Sequence, residues 1–150
     1  MNKESVNKQD EDLSLKLFVV LTRAIQSVKK KVEEDIKGMG LNPTEFAVLE
    51  LVYNKGDQPI QKIGEKVLIA SSSITYVVDK LEKKELLKRI PSPEDRRSTY
   101  AVITEKGTQF MDEVFPKHRE AINNICGGLS KDEKQSLIEQ LKKLGYHADA

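Results

Sequence analysis

The chain has 150 residues, of which 33% are charged and 38% hydrophobic, and its formal net charge is +1. That length suits one domain with an ordinary core, or a small domain plus association helices, and the near-neutral balance does not by itself announce a nucleic-acid binder. The single cysteine, Cys126, excludes an intramolecular disulfide framework and fits a reducing compartment, and the longest apolar run, Leu17–Leu21, is too short to span a bilayer.

In chain order, the polar opening MNKESVNKQDEDLS has no signal-peptide core, so a cytoplasmic protein with a frayed N-terminal arm is expected. Leu17, Leu21, Ala24, Val28, Val32 and Ile36 then recur at steps of three or four, with Phe18 and Ile25 widening the stripe. This predicts a long helix stopped by Gly38 and Gly40. Asn42, Pro43 and Glu45 form a capping box for a second helix, which turns Phe46, Leu49, Val52 and Tyr53 inward and ends at Gly56. Pro59 opens a short helix with Ile60, Ile63 and Val67 on its buried side. After a very short link, Ser71 or Ser72 caps another helix, whose apolar side is Ile74, Val77, Val78 and Leu81. Its other side shows Ser72, Ser73, Thr75, Tyr76, Asp79, Lys80 and Lys83, and Asp79 is expected to pair with Lys83 one turn on. Two short helices joined by a tight turn, the second polar on its outer face, make a helix-turn-helix.

Leu87–Ile90 and Thr99–Ile103 alternate as two strands around the loop 91–98. Thr104 caps a long helical region with Phe110, Met111, Val114, Phe115, Ile122 and Ile125 on its apolar face and a kink expected at Pro116. Gly127-Gly128 breaks it, and a second capping box, Ser130 with Glu133, opens a last helix carrying Leu137, Ile138, Leu141 and Leu144. The expected fold is mainly α with a small β-hairpin wing: a winged helix-turn-helix flanked by N- and C-terminal dimerisation helices. Residues 1–37 would be the arm and first dimerisation helix, 41–107 the winged helix-turn-helix, and 108–150 the C-terminal dimerisation helices. The end segments carry more apolar surface than so small a domain can cover. A second copy is the simplest cover, held by residues 10–37 and 108–145.

Charge is uneven along the chain, and residues 59–107 hold ten Lys and Arg against seven Asp and Glu, a net +3. The second helix of a helix-turn-helix lies in the major groove with its first residues at base edges. Ser71, Ser72, Ser73, Thr75 and Tyr76 are therefore candidate DNA contacts, and Lys80, Lys83, Lys84, Lys88 and Arg89 are candidates for phosphates. At the hairpin tip, Asp95, Arg96 and Arg97 complete the set. Arginine gains from the strong negative potential of a narrow minor groove, so Arg97 is expected to enter it while Asp95 holds its guanidinium through a bidentate pair. Arg96 is left for phosphate. Each feature alone fits a solvated surface; helix-turn-helix and hairpin in succession favour DNA. His118 and His147 stand far apart and give no metal-ligand spacing, and no phosphate-cradle or nucleophile motif occurs, so no metal, cofactor or catalytic residue is expected and the chain does not read as an enzyme.

Three stretches resemble the MarR family of bacterial transcription regulators. LNPTEFAVLELV is similar to its second helix, SSSITYVVDKLEKKELLKR to its recognition helix and first wing strand, and EDRRSTYAVITEKG to its wing signature. That signature is Asp95-Arg96-Arg97 followed by Ile103-Thr104-Glu105-Lys106-Gly107. The family usually has glycine where Glu85 stands, and Glu85 suggests a longer or differently turned helix end. The resemblance implies a homodimer whose two winged helices read a pseudo-palindromic operator in double-stranded DNA, as a repressor. It also implies release by a small aromatic effector, such as a phenol or quinone, or by cysteine oxidation. The alternatives are a thiol-based redox or electrophile sensor acting through Cys126, which ends an apolar helix stripe, and a winged-helix module that binds protein.

Overall fold

The computed structural model describes residues 3–67 and 71–150, with only the backbone of Ser71 and Ser72. Among the described residues the elements run α1 (Lys3–Lys37), α2 (Pro43–Lys55), β1 (Gln58–Pro59), α3 (Ile60–Val67), α4 (Ser71–Lys83), β2 (Leu87–Pro91), β3 (Thr99–Ile103), α5 (Glu105–Ile125) and α6 (Lys131–Asp149). The expected class, helices around a small winged sheet, is what is found. The chain divides into two units, one formed by Lys30–Arg119 and the other by the two chain ends, up to Lys29 and from Glu120. Helices α1 and α5 each run through a division point.

The middle unit has its own core. Phe46, Val48, Leu49 and Val52 of α2 meet Ile63 of α3, and Ile74, Val77, Val78 and Leu81 of α4. Leu87 and Ala101 of the sheet, Ile36 of α1 and Met111 of α5 close it. Burying each of these side chains larger than alanine contributes roughly 1.5–3 kcal/mol. The local signals work as written in the sequence: Asn42 accepts from the Glu45 amide at 2.7 Å while Glu45 accepts from the Asn42 amide at 3.1 Å, which completes the capping box.

The sheet is antiparallel with order β1-β3-β2. β2 and β3 form the wing hairpin in a register from Leu87 opposite Ile103 to Pro91 opposite Thr99. β1 is a strand the sequence did not announce. Gln58 lies opposite Ala101 and Pro59 opposite Tyr100, so Pro59 ends an edge strand and the helix begins at Ile60. Proline has no N–H to donate, and an edge strand tolerates that. Along β2 successive side chains alternate between faces. Leu87 and Arg89 share the face of Ala101 and Ile103, and Lys88 and Ile90 share the opposite face with Val102 and Tyr100.

α5 runs through Pro116 without a break. Two expectations are corrected. The polar opening is helical from Lys3 on, not frayed. And α4 is neither longer nor differently turned at its end: Glu85 itself takes the left-handed conformation, with φ 64°. The Leu86 amide donates to the Leu81 carbonyl at 3.0 Å and the Glu85 amide to the Glu82 carbonyl at 2.9 Å. That is the paired bonding of a Schellman end, with Leu81 and Leu86 both in the core.

The unit formed by the chain ends is different in kind. Ser130 and Glu133 make the expected capping box at the start of α6. Yet none of its described residues is buried. Phe18 is 70% exposed and Leu13 65%, and Leu137, Ile138, Leu141 and Leu144 of α6 are all exposed. No described helix is long and apolar enough to cross a membrane.

Candidate nucleic-acid interface

Helix α4 buries Ile74, Val77, Val78 and Leu81, which leaves Ser73, Thr75 and Tyr76 on its open side. The side chains of Ser71 and Ser72 lie outside the described residues. Lys80 sits with its Nζ 4.9 Å from the centre of the Tyr76 ring, a cation held over an aromatic face. Lys83 and Lys88 are exposed.

The wing tip is organised around Ser92 and Asp95. Ser92 is buried, and its Oγ accepts from the amides of Glu94 and Asp95, each at 3.3 Å. Its own amide donates to the Ser98 carbonyl at 2.9 Å. Asp95 Oδ1 accepts from the Arg97 amide at 3.0 Å, and the Ser98 amide donates to the Asp95 carbonyl at 3.0 Å. The carboxylate thus holds the backbone of Arg97 where the sequence suggested it would hold the guanidinium. The reason is local: a carboxylate two residues upstream meets the amide in a tight Asx-type turn. Arg96 and Arg97 are exposed, and among the described residues nothing engages either guanidinium. The turn presents both charges outward.

Two cations expected at phosphates have partners inside the protein. Lys84 Nζ is 2.8 Å from Glu45 Oε2. Arg89 lies on the helix-facing side of β2, where its Nη2 is 2.6 Å from Asp79 Oδ1 and its Nη1 3.2 Å from Glu82 Oε1. Asp79 therefore pairs with Arg89, not with Lys83. The pleat decides this, because one residue earlier or later would aim the side chain at the other face.

Electrostatics at the Glu45 joint follow from burial and bonding. Burial pushes the Glu45 carboxyl up, but the hydrogen bonds from Lys84 and the Asn42 amide, with the nearby positive charges, outweigh it and hold the carboxyl below its ordinary value. Glu50 goes the other way: burial raises it, and the charge of His118 only partly opposes the shift. The sequence offered no role for His118, yet it is 8% exposed with Nδ1 2.8 Å from Asp35 Oδ2 and its ring 4.5 Å from that of Phe46. Its spacing from Met111 and Phe115, one helix face at steps of four and three, is the signal that would have found it.

The wing is fastened to α5 by Thr104 and Gly107. Thr104 Oγ1 donates to the Glu85 carbonyl at 2.6 Å and accepts from the Gly107 amide at 2.9 Å, so it caps α5 as its position implied. A Cβ on Gly107 would collide with the Leu86 carbonyl oxygen and crowd Ile103. The Thr-x-x-Gly pattern thus has a cause: a hydroxyl to cap, and no side chain where the helix crosses a strand entrance. Cys126 is a free, half-buried thiol just past the end of α5.

The model of the MarR family matches residues 41–99. Over 135 residues the chain is 56% identical to the HTH-type transcriptional regulator MhqR of Bacillus subtilis, covering 90% of this chain and 93% of that one. It is 30% identical over 132 residues to the transcriptional repressor MprA of Escherichia coli, covering 84% and 75%. Among solved structures, a mutant of E. coli MarR complexed with operator DNA superposes with a TM-score of 0.78 at 18% identity, over 89% of this chain and 96% of that one. The organohalide-sensing regulator RdhR in its 2,4-dichlorophenol-bound form gives a TM-score of 0.75 at 18% identity, over 90% and 80%.

Proposed function

The chain belongs to the MarR family of DNA-binding transcriptional regulators, a family without enzymatic activity, and from that premise we propose that it acts in the cytoplasm as a homodimeric repressor of pseudo-palindromic operators, released by a small aromatic effector. The observation that carries the dimer is the unit formed by the chain ends, which buries none of its described residues while exposing Leu13, Phe18, Leu137 and Leu141. Apolar faces of this length need a partner, and a self-complementary two-fold contact is the commonest solution. Two-fold symmetry then sets two α4 helices against two half-sites about 34–36 Å apart.

Within each half-site, Ser71, Ser72, Ser73, Thr75 and Tyr76 are assigned to base edges and nearby phosphates and Lys80 to phosphate. Arg97 is assigned to the minor groove, Arg96 to phosphate, and Asp95 to the turn that aims them. Repression is supported by the naming of MprA, and an aromatic effector by the dichlorophenol bound to RdhR. The test is footprinting with analytical ultracentrifugation. Two symmetric protected half-sites and a dimer at micromolar concentration are expected; a monomer protecting one half-site overturns the reading. Simple phenols and quinones titrated into the complex should release the duplex in both the native chain and Cys126→Ser. Release lost in Cys126→Ser alone would make Cys126 a covalent sensor instead.

A further inference from the structure

We infer that Arg89 is a positioning residue that sets the rotation of the recognition helix, not a phosphate contact. The inference rests on the DNA-binding reading and assigns a task within it. Thr75, Asp79 and Glu82 form one stripe along α4, spaced four and three residues apart. Arg89 lies along that stripe from the neighbouring strand. Its Nη2 reaches Asp79 Oδ1 at 2.6 Å and the Thr75 carbonyl at 3.2 Å, and its Nη1 reaches Glu82 Oε1 at 3.2 Å. The Arg89 amide also donates to Glu82 Oε2 at 3.1 Å, so backbone and side chain grip the same carboxylate.

Charge argues in the same direction. One guanidinium between two carboxylates leaves the cluster with a net negative charge, which repels a polyanion. A rigid planar fork spanning two turns instead fixes how far α4 is rolled about its axis. The outward stripe of Ser73, Tyr76 and Lys80 lies next to the clamped one, about 100° further round the helix. Holding one therefore aims the other. Side chains that read base edges tolerate little error in aim, whereas attraction to the phosphate backbone tolerates much.

The two roles separate by measurement. The wild-type chain first selects a duplex from a randomised pool, which tests the operator reading by itself. Arg89→Lys keeps the charge but cannot span three acceptors. Its preference for the selected duplex over a scrambled duplex of equal length should fall about tenfold, the scale of one lost base contact. Its affinity for the scrambled duplex, and the slope of log K against log salt, should stay at the wild-type values. Asp79→Asn leaves Arg89 bound to Glu82 and Thr75, so it guards against simple unfolding of the first variant. It should also lower the preference, although it removes a negative charge from α4. Thermal melts followed by circular dichroism confirm that both variants fold. Equal binding of Arg89→Lys and wild type on both duplexes overturns the inference, as does tighter binding of Asp79→Asn to both.

Discussion

Glu85 holds a left-handed backbone conformation, φ 64°, that costs a residue with a Cβ roughly 1–2 kcal/mol. Its side chain reaches Lys106 Nζ at 3.3 Å, but both groups are exposed and such pairs return little. Glu85→Gly should therefore raise stability by about 1 kcal/mol, read as a higher urea midpoint at unchanged slope. Arg97 is the complementary case, a residue whose substitution leaves folding alone. Its exposed guanidinium has no partner among the described residues, so Arg97→Ala should melt as the wild type does. On DNA it should lose most on sites with narrow A·T-rich flanks, and its salt slope should flatten by about one unit per lost contact. Fluorescence anisotropy on A·T- and G·C-flanked duplexes at several salt concentrations reads both. Asp95→Ala should act in the same direction but more weakly, because it frees the Arg97 amide and not the charge.

At the scale of elements, one ion pair ties the start of α2 to the segment just past α4, and it carries a pH signature. Glu45 is buried and its pKa is depressed on balance. Its contribution is complete above the unfolded value of about 4.3 and is lost as the pH falls through the lower folded value. Glu50, raised by burial, has the opposite sign and fades as the pH rises through its own folded value. Comparing wild type with Glu45→Gln isolates the first term. The stability gap in urea should be widest near neutral pH and close as the pH drops below about 4. Features of this local kind were legible: both capping boxes, the Thr104 cap and the hairpin strands depend on residues within a few positions of one another. β1 was not, because two residues ending in proline carry no periodic signal and their partners lie some forty positions on. The inward roles of Arg89 and Lys84 were hidden for a related reason. A basic residue beside a recognition helix looks the same in sequence whether the pleat turns it toward DNA or toward Asp79. Glu85 misled because the turn kept its glycine geometry without the glycine.

For the whole molecule, the proposed interface of α1 and α6 offers its own test. Phe18→Glu, placing a charge on a side chain that is 70% exposed in the single chain, should leave the core of residues 30–119 intact yet yield a monomer in ultracentrifugation. Its affinity for a two-half-site duplex should then collapse toward that for one half-site. In the proposed dimer, a chain whose end segments bury none of their described residues by themselves has a stability that depends on how much of it there is. Mass action then couples folding to pairing, so the melting temperature should climb with protein concentration. A newly made chain without a partner would present the exposed apolar faces of α1 and α6 to proteases and chaperones. Scarce chains would be cleared and abundant ones protected, which makes abundance a threshold variable: halving synthesis would lower the level of assembled regulator by more than half.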